Sequence, residues 1–380
     1  MPLVLTEDQE LLAKTARDFV VERSPISRLR ELRDTNDPVG FSRPLWKEMA
    51  ALGWVGIPFS EAHGGAEMGM AELAVVMEAL GRTLAPEPFL STVLLAGQVL
   101  VHGGSPAQQA EWIPRIVEGD ALGALATDEI HSRWDLCRVE TRAEPVGDGF
   151  RISGEKTQVL DGHVADLLLV SARSGGASDD ADGVTIFGIR PGAPGLSITR
   201  QSRIDSRNAA LVRLDGVKVA GSDVVGPVGG GAAILENAVA RATVGLCAEM
   251  LGAMQEAFHR TLDYMRTREQ FGVPIGSFQA LKHRAAREFI AIEISRSAVL
   301  AAARALDGGD DEAAALVSLA KAQCSEAAIL VANESVQMHG GIGMTDEHDI
   351  GFYLKRARAA ELSFGDAAWH RRRWAEISGY

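Results

Sequence analysis

Apolar residues recur at helical spacing along the first third of the chain. Thr6 begins a Thr-x-x-Gln capping box, and apolar residues then follow at a helical period, so we predict an amphipathic helix over residues 7–22. Similar patterns predict further helices at 44–52, 69–83, 89–102 and 106–117. Pro44 and Pro106 suit first-turn positions of these helices. This part of the chain therefore predicts an all-α domain.

Near residue 121 the pattern changes to short runs of β-forming residues. Gly147-Asp-Gly149 is a turn signal between two of the runs, and Ser174–Gly183 is a polar loop. The pattern is typical of a small β-barrel or sandwich. The predicted strands lie at 138–143, 150–153, 158–160, 167–171, 184–189 and 210–214.

After Gly229-Gly-Gly231 the helical period returns in four long stretches, at 232–266, 277–306, 311–339 and 347–377. Four long helices with short connections indicate a bundle. The domains predicted are all-α over 1–120, β over 121–228 and a helical bundle over 229–380. The fold class is an α+β multidomain protein.

Composition narrows the function. A hydrophobic content of 46% and a charged content of 23% are those of a globular protein, and a net charge of −13 argues against nucleic acid as the main partner. We see no signal peptide and no apolar run long enough to span a membrane. Three scattered cysteines and unpatterned histidines predict neither a disulfide framework nor a metal site, and favour a cytoplasmic setting.

Two blocks in the C-terminal part carry the strongest functional signal. One is Arg266-Thr-Arg-Glu-Gln-Phe-Gly-Val-Pro-Ile-Gly-Ser-Phe-Gln-Ala-Leu-Lys-His283 and the other is Gln337-Met-His-Gly-Gly-Ile-Gly343. An arginine fork suits a pyrophosphate, and glycines let backbone N–H groups approach it closely. Together the blocks resemble the flavin-binding signature of the acyl-CoA dehydrogenase family.

That resemblance implies FAD as the cofactor. It places Arg268, Phe271 and Gln279 on one FAD, and Gln337, Gly340 and Gly341 on the FAD of a neighbouring subunit. A tetramer, or at least a dimer, is expected for that reason. The resemblance covers essentially the whole chain, and it implies an acyl-CoA substrate and an electron-transfer flavoprotein as electron acceptor.

The predicted β domain also resembles the family, with differences. Leu125-Ala-Thr127-Asp resembles the segment whose backbone meets the flavin pyrimidine. The segment from Lys156 to Gly162 resembles the one that covers the flavin ring, although Gln158 and Leu160 replace its usual Trp and Thr. The resemblance therefore implies flavin contact at Leu125, Thr127, Gln158 and Leu160.

The α-proton of an acyl thioester must be removed by a base, and the family uses a glutamate at one of two positions. Here Phe364 stands at one position and Ala242 at the other, so both lack a carboxylate. Glu249 lies two helical turns beyond Ala242 in an apolar stretch and is one candidate base. The alternative is a structural ion pair with an arginine of another helix.

Asp366 is the second candidate base, since it lies next but one to Phe364, with the alternative that it caps a helix. Arg241 lies two positions from a family arginine that contacts CoA, and it either substitutes for that arginine or is an ordinary surface charge. Two other functions stay open. The chain could be a non-catalytic, FAD-carrying subunit paired with a homologous catalytic chain, or it could catalyse another flavin reaction.

Overall fold

The computed structural model describes residues 4–380, and the chain divides into two units. One contains the N-terminal residues through Asp34, Gly69–Ala85 and Thr243–Tyr380, and the other contains Thr35–Met68 and Pro86–Ala242. The helices are α1 (Glu7–Arg23), α2 (Ile26–Asp34), α3 (Arg43–Ala51), α4 (Met70–Arg82), α5 (Gly97–Gly103), α6 (Pro106–Val117), α7 (Gly231–Thr267), α8 (Gln279–Gly308), α9 (Ala313–His339), α10 (Ile350–Leu362) and α11 (Ala367–Ile377).

Most predicted helices are confirmed because their ends carry the expected caps. The Thr6 hydroxyl accepts from the Gln9 N–H at 3.2 Å, and the Gln9 side chain accepts in return from the Thr6 N–H at 3.1 Å. The predicted helix at 89–102 is different, since Phe89–Ala96 forms a π-helix before α5 begins. Helix α2 was missed by the sequence analysis.

The predicted helix over 347–377 is in fact two helices. Phe364 and Gly365 both adopt positive φ angles, 59° and 110°, which no helix can contain. The Asp366 carboxylate then accepts from the Trp369 N–H at 2.8 Å and starts α11. A turn therefore separates α10 from α11 at the segment that resembles a family base position.

The strands pair in one eight-stranded sheet in the order β6-β7-β3-β2-β4-β5-β8, and β1 pairs parallel with β4. Its apolar core includes Ile152, Leu168, Phe187 and Val212. The strands are β1 (Gly123–Ala126), β2 (Arg142–Val146), β3 (Gly149–Leu160), β4 (Leu167–Arg173), β5 (Val184–Ile189), β6 (Leu196–Gln201), β7 (Ala209–Ala220) and β8 (Val224–Val225).

Two of the predicted strands, 150–153 and 158–160, are parts of the single strand β3. The register of β3 against β7 shifts between Ile152 and Gly154 and again between Lys156 and Val159. The bulges leave residues of β3 without a regular pairing partner on β7, so one strand appears in the sequence as two short runs. Strands β1, β6 and β8 of this sheet were not predicted.

The long helices of the C-terminal part pack as a bundle. Arg284 of α8 and Glu334 of α9 form an ion pair at 2.8 Å, and these two helices run antiparallel. Residues 313–344 are long and apolar enough to cross a membrane by composition, but 56% of the most apolar window is buried, as in the core helix of a bundle. Helical, sheet and bundle regions follow in the predicted order, and the fold class is confirmed.

Helices α4 and α7 cross at two glycines. A Cβ atom on Gly81 would overlap the Glu249 carbonyl oxygen, and one on Gly252 would overlap the Glu78 carbonyl oxygen. Only glycine allows backbones to approach this closely. The crossing fixes the segment of α7 that carries Glu249.

Candidate flavin and substrate site

Phe271 lies at the tip of a hairpin that joins α7 to α8. Strands β9 (Glu269–Gln270) and β10 (Val273–Pro274) pair antiparallel around Phe271 and Gly272, whose φ angles are 55° and 81°. Two positive φ angles are typical of a type I′ turn, which rarely holds a bulky residue. The Phe271 side chain is also 93% exposed. A strained and exposed aromatic ring indicates contact with something outside the chain.

Arg268 and Gln279 lie at the base of this hairpin, and both are exposed. The Arg268 carbonyl accepts from the Ile275 N–H at 2.8 Å, which holds the two ends of the hairpin together. Arg268 forms no ion pair within residues 4–380, in contrast to Arg266, which pairs with Asp263 at 2.9 Å. Its guanidinium is therefore available to an anionic ligand.

The Gln337 block begins at the end of α9. Gln337, Gly340 and Gly341 are exposed, and Gly340 has a φ of 65° that favours glycine. Gly341 has no such φ, and a Cβ atom there would meet nothing within 4 Å. Glycine at position 341 is therefore required neither by the local φ angle nor by close packing within this chain. A glycine there leaves room for a ligand or a neighbouring subunit.

The two blocks are neighbours within one chain. The Tyr264 ring, one turn before Arg268, stacks on the His339 imidazole with their centroids 4.6 Å apart. His339 in turn lies two residues after Gln337. The sequence analysis assigned the blocks to two different FAD molecules, and that assignment stays a prediction, although the blocks lie next to each other within this chain. We call these six residues the hairpin surface: Arg268, Phe271, Gln279, Gln337, Gly340 and Gly341.

A second candidate surface lies on the sheet. Leu125 is buried in β1, Thr127 follows it, and Gln158 and Leu160 occupy the end of β3. The Thr157 N–H donates to the Asp128 carbonyl at 2.8 Å, so the two segments are adjacent. Gln158 is exposed and has a φ of 54° within the second bulge of β3. Bulges of this kind redirect side chains and backbone groups next to active sites.

Glu249 forms a buried ion pair. Its carboxylate accepts from the Arg356 guanidinium of α10 at 2.8 Å, and the side chains are 3% and 2% exposed. The geometry therefore matches the structural alternative stated for Glu249. Ala242 is fully buried. A catalytic role for Glu249 stays a prediction that an experiment must decide.

The turn between α10 and α11 depends on a residue that the sequence analysis missed. The Lys321 ammonium, fully buried on α9, donates to the Glu361 carbonyl at 2.9 Å and to the Gly365 carbonyl at 2.7 Å. Burial lowers the pKa of Lys321 to about 8. The sequence did contain a signal for this contact, a lysine within an apolar helical stretch. The partners of that lysine, however, lie about forty residues later in the chain.

His370 also holds this turn, since its Nε2 lies 2.9 Å from the Phe364 carbonyl oxygen. Burial, with the nearby charge of Lys321, lowers the pKa of His370 to about 3, so the ring is neutral and donates through Nε2. The Asp366 carboxylate is engaged in capping α11, which matches the alternative stated for it. Phe364 is thus presented in a fixed left-handed conformation.

Comparison with known proteins decides the family. Three domain models match the chain: "Acyl-CoA dehydrogenase, N-terminal domain" over residues 6–120, "middle domain" over 124–217 and "C-terminal domain" over 229–378. A cyclohex-1-ene-1-carbonyl-CoA dehydrogenase of Geobacter metallireducens is 31% identical, over 95% of this chain and 95% of its own. This chain belongs to the acyl-CoA dehydrogenase family.

Two further relatives are informative. The acyl-CoA dehydrogenase FadE27 of Mycobacterium tuberculosis is 31% identical, over 88% of this chain and 87% of its own. A chain in the crystal structure of the ChsE4-ChsE5 complex from the same organism has a TM-score of 0.89 and 30% identity, covering 100% of this chain and 99% of that chain. Members of the family are oxidoreductases that act on CH–CH bonds.

The cofactor of the acyl-CoA dehydrogenase family is FAD, and the residues present fit it. The hairpin surface offers an unpaired arginine, an exposed aromatic ring and an uncrowded glycine, which suit a phosphate, an adenine and close backbone approach. Among residues 4–380 no group of three or more His, Cys, Asp or Glu residues could hold a metal.

Arg241, the predicted CoA contact, is half-buried on α7 and donates to Asn237 one turn earlier. Burial, and secondarily the charge of Arg241, lowers the pKa of His102. A CoA contact at Arg241 stays a prediction.

Proposed function

We propose that this chain is an FAD-dependent enzyme that removes the α-proton and the β-hydride of an acyl-CoA thioester and passes the electrons to an electron-transfer flavoprotein. The observation that carries the proposal is the hairpin surface, where an unpaired arginine and a strained, exposed phenylalanine adjoin two exposed glycines. Within residues 4–380, Arg268 forms no ion pair, and the 93% exposed Phe271 ring meets the Phe278 ring edge-on with their centroids 6.1 Å apart. These are the features that an FAD phosphate and adenine require.

Each surface has its own role in this proposal. Arg268 opposes the pyrophosphate charge, Phe271 contacts the adenine end, and the glycines admit backbone N–H groups. The surface around Leu125, Thr127, Gln158 and Leu160 contacts the flavin ring. Bound FAD supplies the hydride acceptor of the reaction. Because the hairpin surface is exposed, we propose that it completes the FAD site of a neighbouring subunit in a dimer or tetramer.

Removal of the Arg268 guanidinium is expected to weaken FAD binding. A charge-assisted hydrogen bond to phosphate contributes about 1.5–3 kcal/mol, so Arg268→Ala should raise the FAD dissociation constant about tenfold or more. The measurement is fluorescence titration of apo-protein with FAD. Arg266→Ala is the matched control, since Arg266 is an exposed arginine two residues away that already pairs with Asp263. Equal affinities in both variants would contradict the assignment of the hairpin surface.

The contacts of the two candidate bases, Glu249 and Asp366, favour a second function. Both family base positions are apolar, Glu249 is paired with Arg356, and Asp366 caps α11. We propose as the alternative that this chain is an FAD-carrying partner subunit, and that a homologous chain supplies the base. The name of the ChsE4-ChsE5 complex shows that a relative of the same fold exists with two kinds of polypeptide.

Assembly separates the two functions. A self-sufficient enzyme expressed alone should form a homo-oligomer with about one FAD per chain and should turn over an acyl-CoA with an artificial electron acceptor. A partner subunit should be inactive alone and gain activity only when co-expressed with a homologous chain that carries the glutamate. Light scattering with absorbance detection measures mass and flavin per chain. A monomer that binds FAD tightly would exclude the shared site in both versions.

A further inference from the structure

A buried charge pair lies directly beneath the sheet surface predicted to contact the flavin ring. The Lys156 ammonium is fully buried in β3 and donates to the Glu129 carboxylate at 2.6 Å. It also donates to the Ser171 hydroxyl at 3.0 Å and lies 3.3 Å from the Thr127 carbonyl oxygen. One ammonium therefore contacts β4 and the segment that follows β1.

The Glu129 side chain, 7% exposed, accepts further hydrogen bonds on the same carboxylate. They come from the Glu140 N–H at 2.7 Å, the Thr141 N–H at 3.1 Å and the Thr141 hydroxyl at 2.7 Å. Burial raises the pKa of Glu129, but the charge of Lys156 and these hydrogen bonds outweigh it and lower the pKa overall. Burial lowers the pKa of Lys156, and the charge of Glu129 opposes that shift, so each partner favours the charged form of the other.

The position of this pair matters because the strand ladder is interrupted there. The register between β3 and β7 shifts between Lys156 and Val159, and Gln158 in that interval has a φ of 54°. Ladder hydrogen bonds cannot set the position of a bulged segment. Other contacts hold the bulge instead. The Lys156 ammonium lies 3.3 Å from the Thr127 carbonyl oxygen, the Thr157 N–H donates to the Asp128 carbonyl at 2.8 Å, and the Gln158 N–H donates to the Gln201 side chain at 3.3 Å.

We propose that Lys156 and Glu129 are positioning residues that hold the Leu125–Asp128 segment and the bulge at Gln158 in one fixed arrangement for the flavin ring. This inference rests on the proposed function for its ligand, but the arrangement itself is a property of the protein without FAD. An apolar pair of similar volume would fill the same space and leave no buried charge unpaired. Apolar side chains could not donate to the Thr127 carbonyl, and they could not hold the Leu125–Asp128 segment that Glu129 directly follows.

The test uses the full chain with Lys156→Met, Glu129→Gln and the double variant Lys156→Met/Glu129→Leu. The double variant is expected to be more stable than either single variant, because no buried charge is left unpaired. It should nevertheless bind FAD about tenfold more weakly or worse, with an altered flavin absorption band. Amide hydrogen exchange of the apo-protein should speed up at 125–128 and 157–160 in the double variant.

Arg173→Met is the matched control. Arg173 is a buried cation of the same sheet. Its guanidinium donates to the carbonyls of Cys137, Ser178, Asp180 and Asp182, none of which belongs to a predicted flavin segment. It should lose stability without a change in FAD affinity or in exchange at 125–128. A folded double variant with native FAD affinity, absorption and exchange overturns the inference. Failure of the native protein to bind FAD overturns the proposed function instead, and the exchange measurement still tests the positioning role.

Discussion

Glu249→Gln is expected to lower the free energy of unfolding by about 3–5 kcal/mol, because it leaves the Arg356 guanidinium buried without its counter-charge. The pair lies 2.8 Å apart and is almost completely buried. Chemical denaturation monitored by circular dichroism measures the change. The double variant Glu249→Leu/Arg356→Met should recover most of the lost stability, since an apolar pair of similar volume replaces the ion pair. Unchanged stability of Glu249→Gln would show that the pair contributes nothing.

The same variants decide whether Glu249 is also the α-proton base. Arg356→Met should lose stability to a similar extent as Glu249→Gln, yet it keeps the carboxylate. If Glu249 is the base, only Glu249→Gln reduces the rate of flavin bleaching by an acyl-CoA, by about 10²–10⁴-fold. The rate is measured per folded, FAD-loaded molecule by stopped flow. Equal bleaching rates in the two variants would assign Glu249 a purely structural role.

Phe364→Glu is expected to increase the rate of flavin bleaching by acyl-CoA about 10²-fold or more, if this chain lacks its own base. Lys321 and His370 hold the α10–α11 turn through the carbonyls of Gly365 and Phe364. Phe364 already bears a Cβ atom at a φ of 59°, so a glutamate adds no new backbone strain of that kind. Because Phe364 is half-buried, a carboxylate there keeps contact with solvent.

Phe364→Gln is the control for this gain of activity, since glutamine has nearly the shape of glutamate and cannot accept a proton at neutral pH. Stopped-flow bleaching is compared for the native chain, Phe364→Glu and Phe364→Gln over several acyl-CoA chain lengths. A native chain that bleaches rapidly and gains nothing from the glutamate would locate the base elsewhere in the chain. A slow native chain rescued by Phe364→Glu alone supports the partner-subunit function.

The sequence determined the elements whose signals are local. Periodicity and caps predicted α1, α6 and α7, because a helix is set by side chains three or four residues apart and by its own terminal groups. The two C-terminal blocks predicted the family because each motif is a short run of residues that can be read directly from the sequence. Strands β4 and β5 were predicted because each is a local run of β-forming residues in the chain.

Only the tertiary structure decided what depends on contacts between distant residues. The bulges of β3 come from pairing with β7 some fifty residues later, and they joined two predicted strands into one. The ion pair of Glu249 requires Arg356, the α10–α11 turn requires Lys321, and the position of Thr127 requires Lys156. Buried charges need partners, but the chain order does not say which partner the fold supplies. For that reason the sequence identified an FAD-binding dehydrogenase fold, whereas the packing showed which of its charged residues are engaged in holding that fold and which, such as Arg268, remain available to a ligand.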